Sequence, residues 1–214
     1  MAVYVGGEEC RVIYVARNGQ QLRVSSVWVG DRQVFPPSGQ GGFILRVGVS
    51  TGNAFAPLRE WAVSIGETYQ TITKITVPME VVGPSLQSLF DGCQSLTAIP
   101  ALDTSQVTNM RTMFNGCRVL TTIPALDTSQ VTITVFMFQG CSSLESVTLP
   151  GMGNAFPASR TLDMKATKLN AAAANALMQS LGTPPPGGTL QLPATARGAN
   201  ASIATAKNWQ VTIA

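Results

Sequence analysis

The chain has 214 residues, 45% of them hydrophobic and only 12% charged, with a net charge of +3 and no histidine. The apolar share suffices for a packed core, and the small charged share leaves the surface to Thr, Ser, Gln, Asn, Gly and Ala, which suits a protein held in an assembly. The missing histidine removes Ser-His-Asp and Cys-His nucleophiles and the HExxH metal motif, the scattered Lys and Arg form no basic patch for nucleic acid, and no apolar run is long enough to span a membrane.

Residues 1–35 read as a small β module. Val3–Val5, Val12–Val15, Val27–Val29 and Val34–Phe35 are strand-like, and Gly6–Gly7, Asn18–Gly19 and Gly30–Asp31 punctuate them as turns. The aromatic residues Tyr4, Tyr14 and Trp28 mark three beats of this module. The opening "MAVYVGGEEC" has neither the basic nor the apolar region of a secretory leader, so export by a cleaved signal is not expected. "PPSGQGG" at 36–42 has linker composition. The rest of 36–83 is expected to be a β-rich lead-in and cap, from "FILRVGV", "EWAVSIG" and "TITKITVPMEVV".

Between residues 84 and 150 the chain repeats itself. "LFDGC", "MFNGC" and "MFQGC" end at Cys93, Cys117 and Cys141, 24 residues apart, and "IPALDTSQVT" stands unchanged at 99–108 and 123–132. Phe90, Phe114 and Phe138, then Leu96, Leu120 and Leu144, then Ile99, Ile123 and Val147 keep the same step. A fixed period in the twenties signals stacked units, none of which buries its apolar face alone. Each unit is expected to be a short strand followed by a helix. Pro100 limits the strand, Asp103–Ser105 supply cap-type side chains, and Val107, Met110 and Phe114 recur at helical steps with Gly116 as the stop. Cys93, Cys117 and Cys141 fit as small buried apolar groups, with a disulfide or metal ladder the minor alternative; Cys10 stands apart, and no pair has CxxC spacing.

"GMGNAFPAS" at 151–159 interrupts the period, and 151–214 reads as an atypical last repeat and cap. It holds strand "RTLDM", a helix after Asn170 with Ala172, Leu177 and Leu181 inward, strand "TLQLP", a helical turn within 201–208, and a final "WQVTIA".

Asp103 and Asp127 are the one obvious carboxylate pair, and their shared repeat position favours capping over a catalytic dyad. Lys165 and Lys168 read as a solvated helix start, and Gly187–Gly188 precedes a strand, so it is no phosphate loop. The residues flanking Ile99, Ile123 and Val147 point away from the core. Ala98, Pro100, Thr122, Pro124, Ser146 and Thr148 therefore form a candidate protein-binding strip, without the aromatic platform a sugar would use.

The pattern "LTxIPALDTSQVTNMxxMFxGC" over 96–117 resembles the BspA-type leucine-rich repeat of bacterial surface proteins and mycoplasma lipoproteins. Unit 120–141 departs from it at 133–135, where "ITV" stands for "NMx". The resemblance implies an α+β fold: a small N-terminal β module, then a short solenoid of 24-residue strand–helix units with atypical terminal caps. Both ends also resemble phage minor tail proteins that carry such repeats. The ending "IATAKNWQVT" matches theirs, with Asn208 where Gly is usual. These resemblances imply a non-enzymatic structural protein on the surface of a tailed-phage virion, made in the host cytoplasm and needing no cofactor. Its partners would be other virion proteins, with a host receptor and self-association left open; nucleic acid and membrane insertion are not expected. Tyr4, Tyr14 and Trp28 are the candidate virion-docking residues. A head decoration protein and a bacterial adhesin remain as alternatives.

Overall fold

A computed structural model describes the backbone of residues 2–5, 8–17, 20–29 and 32–33, and residues 45–47, 54, 57–59, 62, 67–75, 78–157 and 160–214. The described residues make a mixed α/β structure of small sheets and few helices, with no closed barrel. The strands β1 (Ala2–Val5), β2 (Glu8–Arg17), β3 (Gln20–Val29) and β4 (Arg32–Gln33) form an antiparallel meander, with Val3 opposite Cys10, Cys10 opposite Val29 and Val29 opposite Arg32. The expected strand at Val34–Phe35, the three turns and the 36–42 linker lie outside the described residues.

β5 (Leu45–Val47) and β6 (Met79–Val81) pair in parallel, with an exposed Arg46–Glu80 ion pair at 2.8 Å. Ala62, in the stretch read as β, is instead helical, and the rest of "EWAVSIG" lies outside the described residues. Ala54, Leu58 and Ala62 are all fully buried. Their step of four places them on one side of a helical turn, and this burial outweighs the local β propensity.

From 84 to 150 the backbone climbs in tiers joined by hydrogen bonds between residues 23 apart. The N–H groups of Leu86, Ser88, Phe90 and Gly92 donate to the carbonyls of Asn109, Arg111, Met113 and Asn115. Those of Met110, Thr112, Phe114 and Gly116 donate in turn to Ile133, Val135, Met137 and Gln139, at 2.7–3.0 Å. The expected helix over the second half of each unit is therefore absent; the segment is a run of turns. Helix needs each N–H to reach the carbonyl four residues back. Here alternate N–H groups are committed to the next tier, and those between them bond locally, as Met113 does to Met110 O, Cys117 to Phe114 O and Arg111 to the Asn109 side chain. Positive φ recurs twice per tier, at Ser88, Thr112 and Phe136 and at Gly92, Gly116 and Gly140, which also breaks a helix. The first half of each unit pairs through isolated parallel bridges, such as Thr122 with Ser146, rather than through a full strand.

The residues expected inside are inside. Val107, Met110, Phe114, Leu96, Leu120 and Leu144 are fully buried, because a turn run that advances by three and four hides the same positions a helix would. Phe90, Phe114 and Phe138 stack with centroids 5.5 and 5.8 Å apart and planes within 14°. A Cβ on Gly140 would lie 3.3 Å from the Gly116 Cα, so the tiers touch backbone to backbone there.

Residues 160–214 hold a small sheet and short helices. β7 (Thr161–Asp163), β8 (Thr189–Leu192) and β9 (Gln210–Ile213) form a parallel sheet in that order. α1 (Ala171–Ser180) starts at Asn170, whose Oδ1 accepts from the Ala173 N–H at 2.9 Å. Leu177 and Leu181 face inward as expected, but Ala172 is exposed; Ala174 and Met178 complete the buried face, one helical step from Leu177 and Leu181. Lys207, just after α2 (Ser202–Thr205), donates its Nζ to the carbonyls of Gln179 and Leu181 at 2.7 Å and Met178 at 3.4 Å, placing a cation on the carbonyl end of α1. Trp209 is buried edge-on against Phe156 and donates its Nε1–H to Gly182 O. Between them Asn208 has φ +66°, the left-handed region that favours Gly and tolerates Asn.

Two substitutions test these contacts by urea denaturation. Lys207→Met removes three donors from the end of α1 and should cost about 1–3 kcal/mol. Asn208→Gly should be neutral or mildly stabilising, whereas Asn208→Val should cost more than about 1 kcal/mol, since a β-branched residue resists positive φ.

Candidate interaction surface

The doubled "ALDTSQ" shows how the repeated polar residues are used. The Asp103 Oδ1 accepts from the Ser105 hydroxyl at 2.7 Å and the Ser105 N–H at 3.1 Å, and the Asp127 Oδ1 accepts from the Ser129 N–H at 3.0 Å. The Ser105 hydroxyl, then its N–H, hold the exposed Asp103 carboxyl below its ordinary pKa. These aspartates cap turns rather than helices, because the segment that follows them is the turn ladder. The next residue bonds between tiers: the buried Thr104 hydroxyl donates to Asp127 O and that of Thr128 to Pro150 O, both at 2.8 Å. Asp103 and Asp127 each close a local turn.

Cys93, Cys117 and Cys141 are free thiols and fully buried. Cys117 donates its S–H to Phe90 O at 3.2 Å and Cys141 to Phe114 O at 3.0 Å, so even the thiols serve the stacking. Burial pushes the pKa of Cys93, beside Asp91, and of Cys141 up to about 12. Cys117 is raised by burial first and by its two neighbouring thiols next. No group of three Cys, Asp or Glu among the described residues is placed to hold a metal ion. Lys165 lies 3.7 Å from Asp163, and both Lys165 and Lys168 are exposed.

The predicted strip comes to the surface as a row. Ala98, Thr122 and Ser146 are exposed, and Pro100, Pro124 and Thr148 are half-buried beside them. Ile99, Ile123 and Val147, which the two sets flank, are buried. Bridges of Lys74 with Ala98 and of Thr122 with Ser146 align the row, and Lys74 extends it by one tier. The Thr97 hydroxyl donates to Thr73 O at 2.9 Å, which ties the neighbouring row together. The row carries the hydroxyls of Thr122, Ser146 and Thr148 and no aromatic group.

Of Tyr4, Tyr14 and Trp28 the structure describes the backbone, on β1, β2 and β3: Tyr4 is opposite Glu9, Tyr14 opposite Val24, and Trp28 opposite Arg11 and Gln33. They lie on the meander and not on the strip. Sequence reasoning missed Phe136, which is 52% exposed at a left-handed position where the lower tiers carry Ser88 and Thr112, hydroxyl to hydroxyl at 2.8 Å. The signal was there, in the "ITVF" that breaks the repeat at 133–136.

Residues 84–179 match the family described as "Mycoplasma protein of unknown function, DUF285". The match begins where the tiers begin, ends inside α1, and loosely fits the BspA-type resemblance of the repeats. No curated protein and no solved structure matches the chain. No helix among the described residues is long and apolar enough to cross a membrane.

Thr128→Val should destabilise the protein by about 0.5–1.5 kcal/mol, measured in urea, because Pro150 O keeps the Thr128 N–H but loses the buried hydroxyl donor. The thiols give a pH effect of definite sign. Unfolded thiols ionise near 8.5 while the folded ones stay protonated, so above that pH the unfolded state holds fewer protons. Stability should therefore fall from about pH 9 towards 12, by up to about 1 kcal/mol per thiol per pH unit, and less steeply in Cys117→Ala.

Proposed function

We propose that this chain is a non-enzymatic structural protein whose tiers form a short BspA-type solenoid, displayed on the surface of a tailed-phage particle at the tail or its tip. In this reading the N-terminal meander, with Tyr4, Tyr14 and Trp28, docks the protein to the particle. The strip of Ala98, Thr122 and Ser146, flanked by Pro100, Pro124 and Thr148, meets a neighbouring subunit or the host surface.

The observation that carries the reading is the use of the repeated polar groups. Asp103, Asp127, Thr104, Thr128, Cys117 and Cys141 all make bonds within or between tiers, which leaves the repeat a surface to present and no convergent set of reactive groups. The ending that resembles those of phage tail proteins has a structural use: Lys207 and Trp209 hold the C-terminal end of α1 and Asn208 makes the turn between them. The head decoration reading differs in place, and the adhesin reading in carrier.

Quantitative mass spectrometry of purified particles separates them. A few copies per particle is the expected result. Hundreds of copies would move the protein to the head, and its absence from particles, with recovery in a bacterial surface fraction, would replace this reading with the adhesin.

A further inference from the structure

Among the described residues, the C-terminal sheet ends on an unpaired edge. Gln210 N–H donates to Gly188 O at 2.8 Å and Ala214 N–H to Leu192 O at 3.0 Å, so the even-numbered residues of β9 bond to β8. In a parallel ladder the residues between them turn their peptide groups the other way. Val211 and Ile213 therefore present N–H and C=O groups outward, on the outermost strand of the order β7-β8-β9. Such edges are normally blunted by charge, proline, a bulge or a covering element. Gln-Val-Thr-Ile carries no charge and no proline, and it pairs with β8 in unbroken register. Ile213 is 38% exposed and Val211 is half-buried, and two residues apart they lie on the same face of the strand.

We propose that β9 is a self-association edge: two copies of the chain pair their β9 strands antiparallel about a two-fold axis through Thr212. This register sets Val211 opposite Ile213 of the second copy and the reverse, so that the outward N–H and C=O groups of both residues are satisfied in closed pairs. It also gives the exposed Ile213 an apolar cross-strand neighbour. A second copy suits this edge because a neutral strand meets no like charge when paired with itself. The parallel pair β5–β6, by contrast, carries the exposed Arg46–Glu80 ion pair. Thr212 faces its own copy at a non-hydrogen-bonded position, where opposing side chains come closest. The inference is independent of the virion reading.

Sedimentation equilibrium of the full chain, from micromolar to near-millimolar concentration, tests it. Wild type should show a concentration-dependent dimer. Thr212→Lys and Thr212→Glu place like charges across the axis, and each alone should raise the dissociation constant by about tenfold or more. An equimolar mixture of the two should dimerise again, because lysine then faces glutamate. Urea midpoints check that each variant folds; if either is weakened, Ile213→Thr, neutral and β-prone, should also lower dimerisation. The proposal is overturned if wild type is monomeric throughout, if either charged variant dimerises as wild type does, or if the mixture stays monomeric while wild type pairs.

Discussion

The peptide hydrogen bond between tiers is the interaction on which the rest of the structure depends. A buried N–H must find an acceptor, and in the tiers alternate N–H groups find it 23 residues further along. Once that offset is set, equivalent side chains must lie one above another. Rings stack on rings, Leu on Leu, and glycine on glycine where the backbones touch. The same offset explains why a left-handed residue recurs at Ser88, Thr112 and Phe136. Each tier must bend at the same point to present its next N–H upward, and the cost of a non-Gly residue there is met by the ladder it keeps in step.

Polar side chains add to this ladder, each at a different place. Asparagine and aspartate close turns within a tier; Thr104, Thr128, Cys117 and Cys141 bond across tiers. At the C-terminal end the ladder gives way to the small parallel sheet, and the helix beside it is held at its N-terminus by Asn170 and at its C-terminus by Lys207. The exposed strip is a by-product of this order. Its residues are small and uncharged, with Lys74 the exception in the row.

The 24-residue period and the buried positions Leu96, Leu120, Phe90 and Phe114 were legible from the sequence, because stacking repeats its residues. The conformation within the unit was not. Val107, Met110 and Phe114 advance by three and four, a step that hides the same side chains on a helix and on a run of turns. What separates the two is where the N–H groups go, and no residue type encodes that directly. Positive φ at Thr112 and Phe136 was invisible for a related reason, since neither residue favours it locally. Asn208 stands where Gly is usual in the resembling endings, and its φ of +66° gives the physical reason. The strip followed from alternation around Ile99, Ile123 and Val147, which burial reproduces. Phe136 escaped because the departure from the repeat was placed at 133–135, one residue short of it.

The backbone contact between Gly116 and Gly140 has a consequence for how such a chain can change in length. Adding or removing a whole tier brings another glycine, ring and thiol onto the same axis and leaves every bond type in place. Adding a single residue within a tier shifts all later N–H groups to the wrong face and brings a side chain to a tight contact where the backbone φ is positive. Variation in this part of the molecule is therefore quantised. Its reach can grow or shrink only by duplicating or deleting complete units, as the unchanged second copy of "IPALDTSQVT" records.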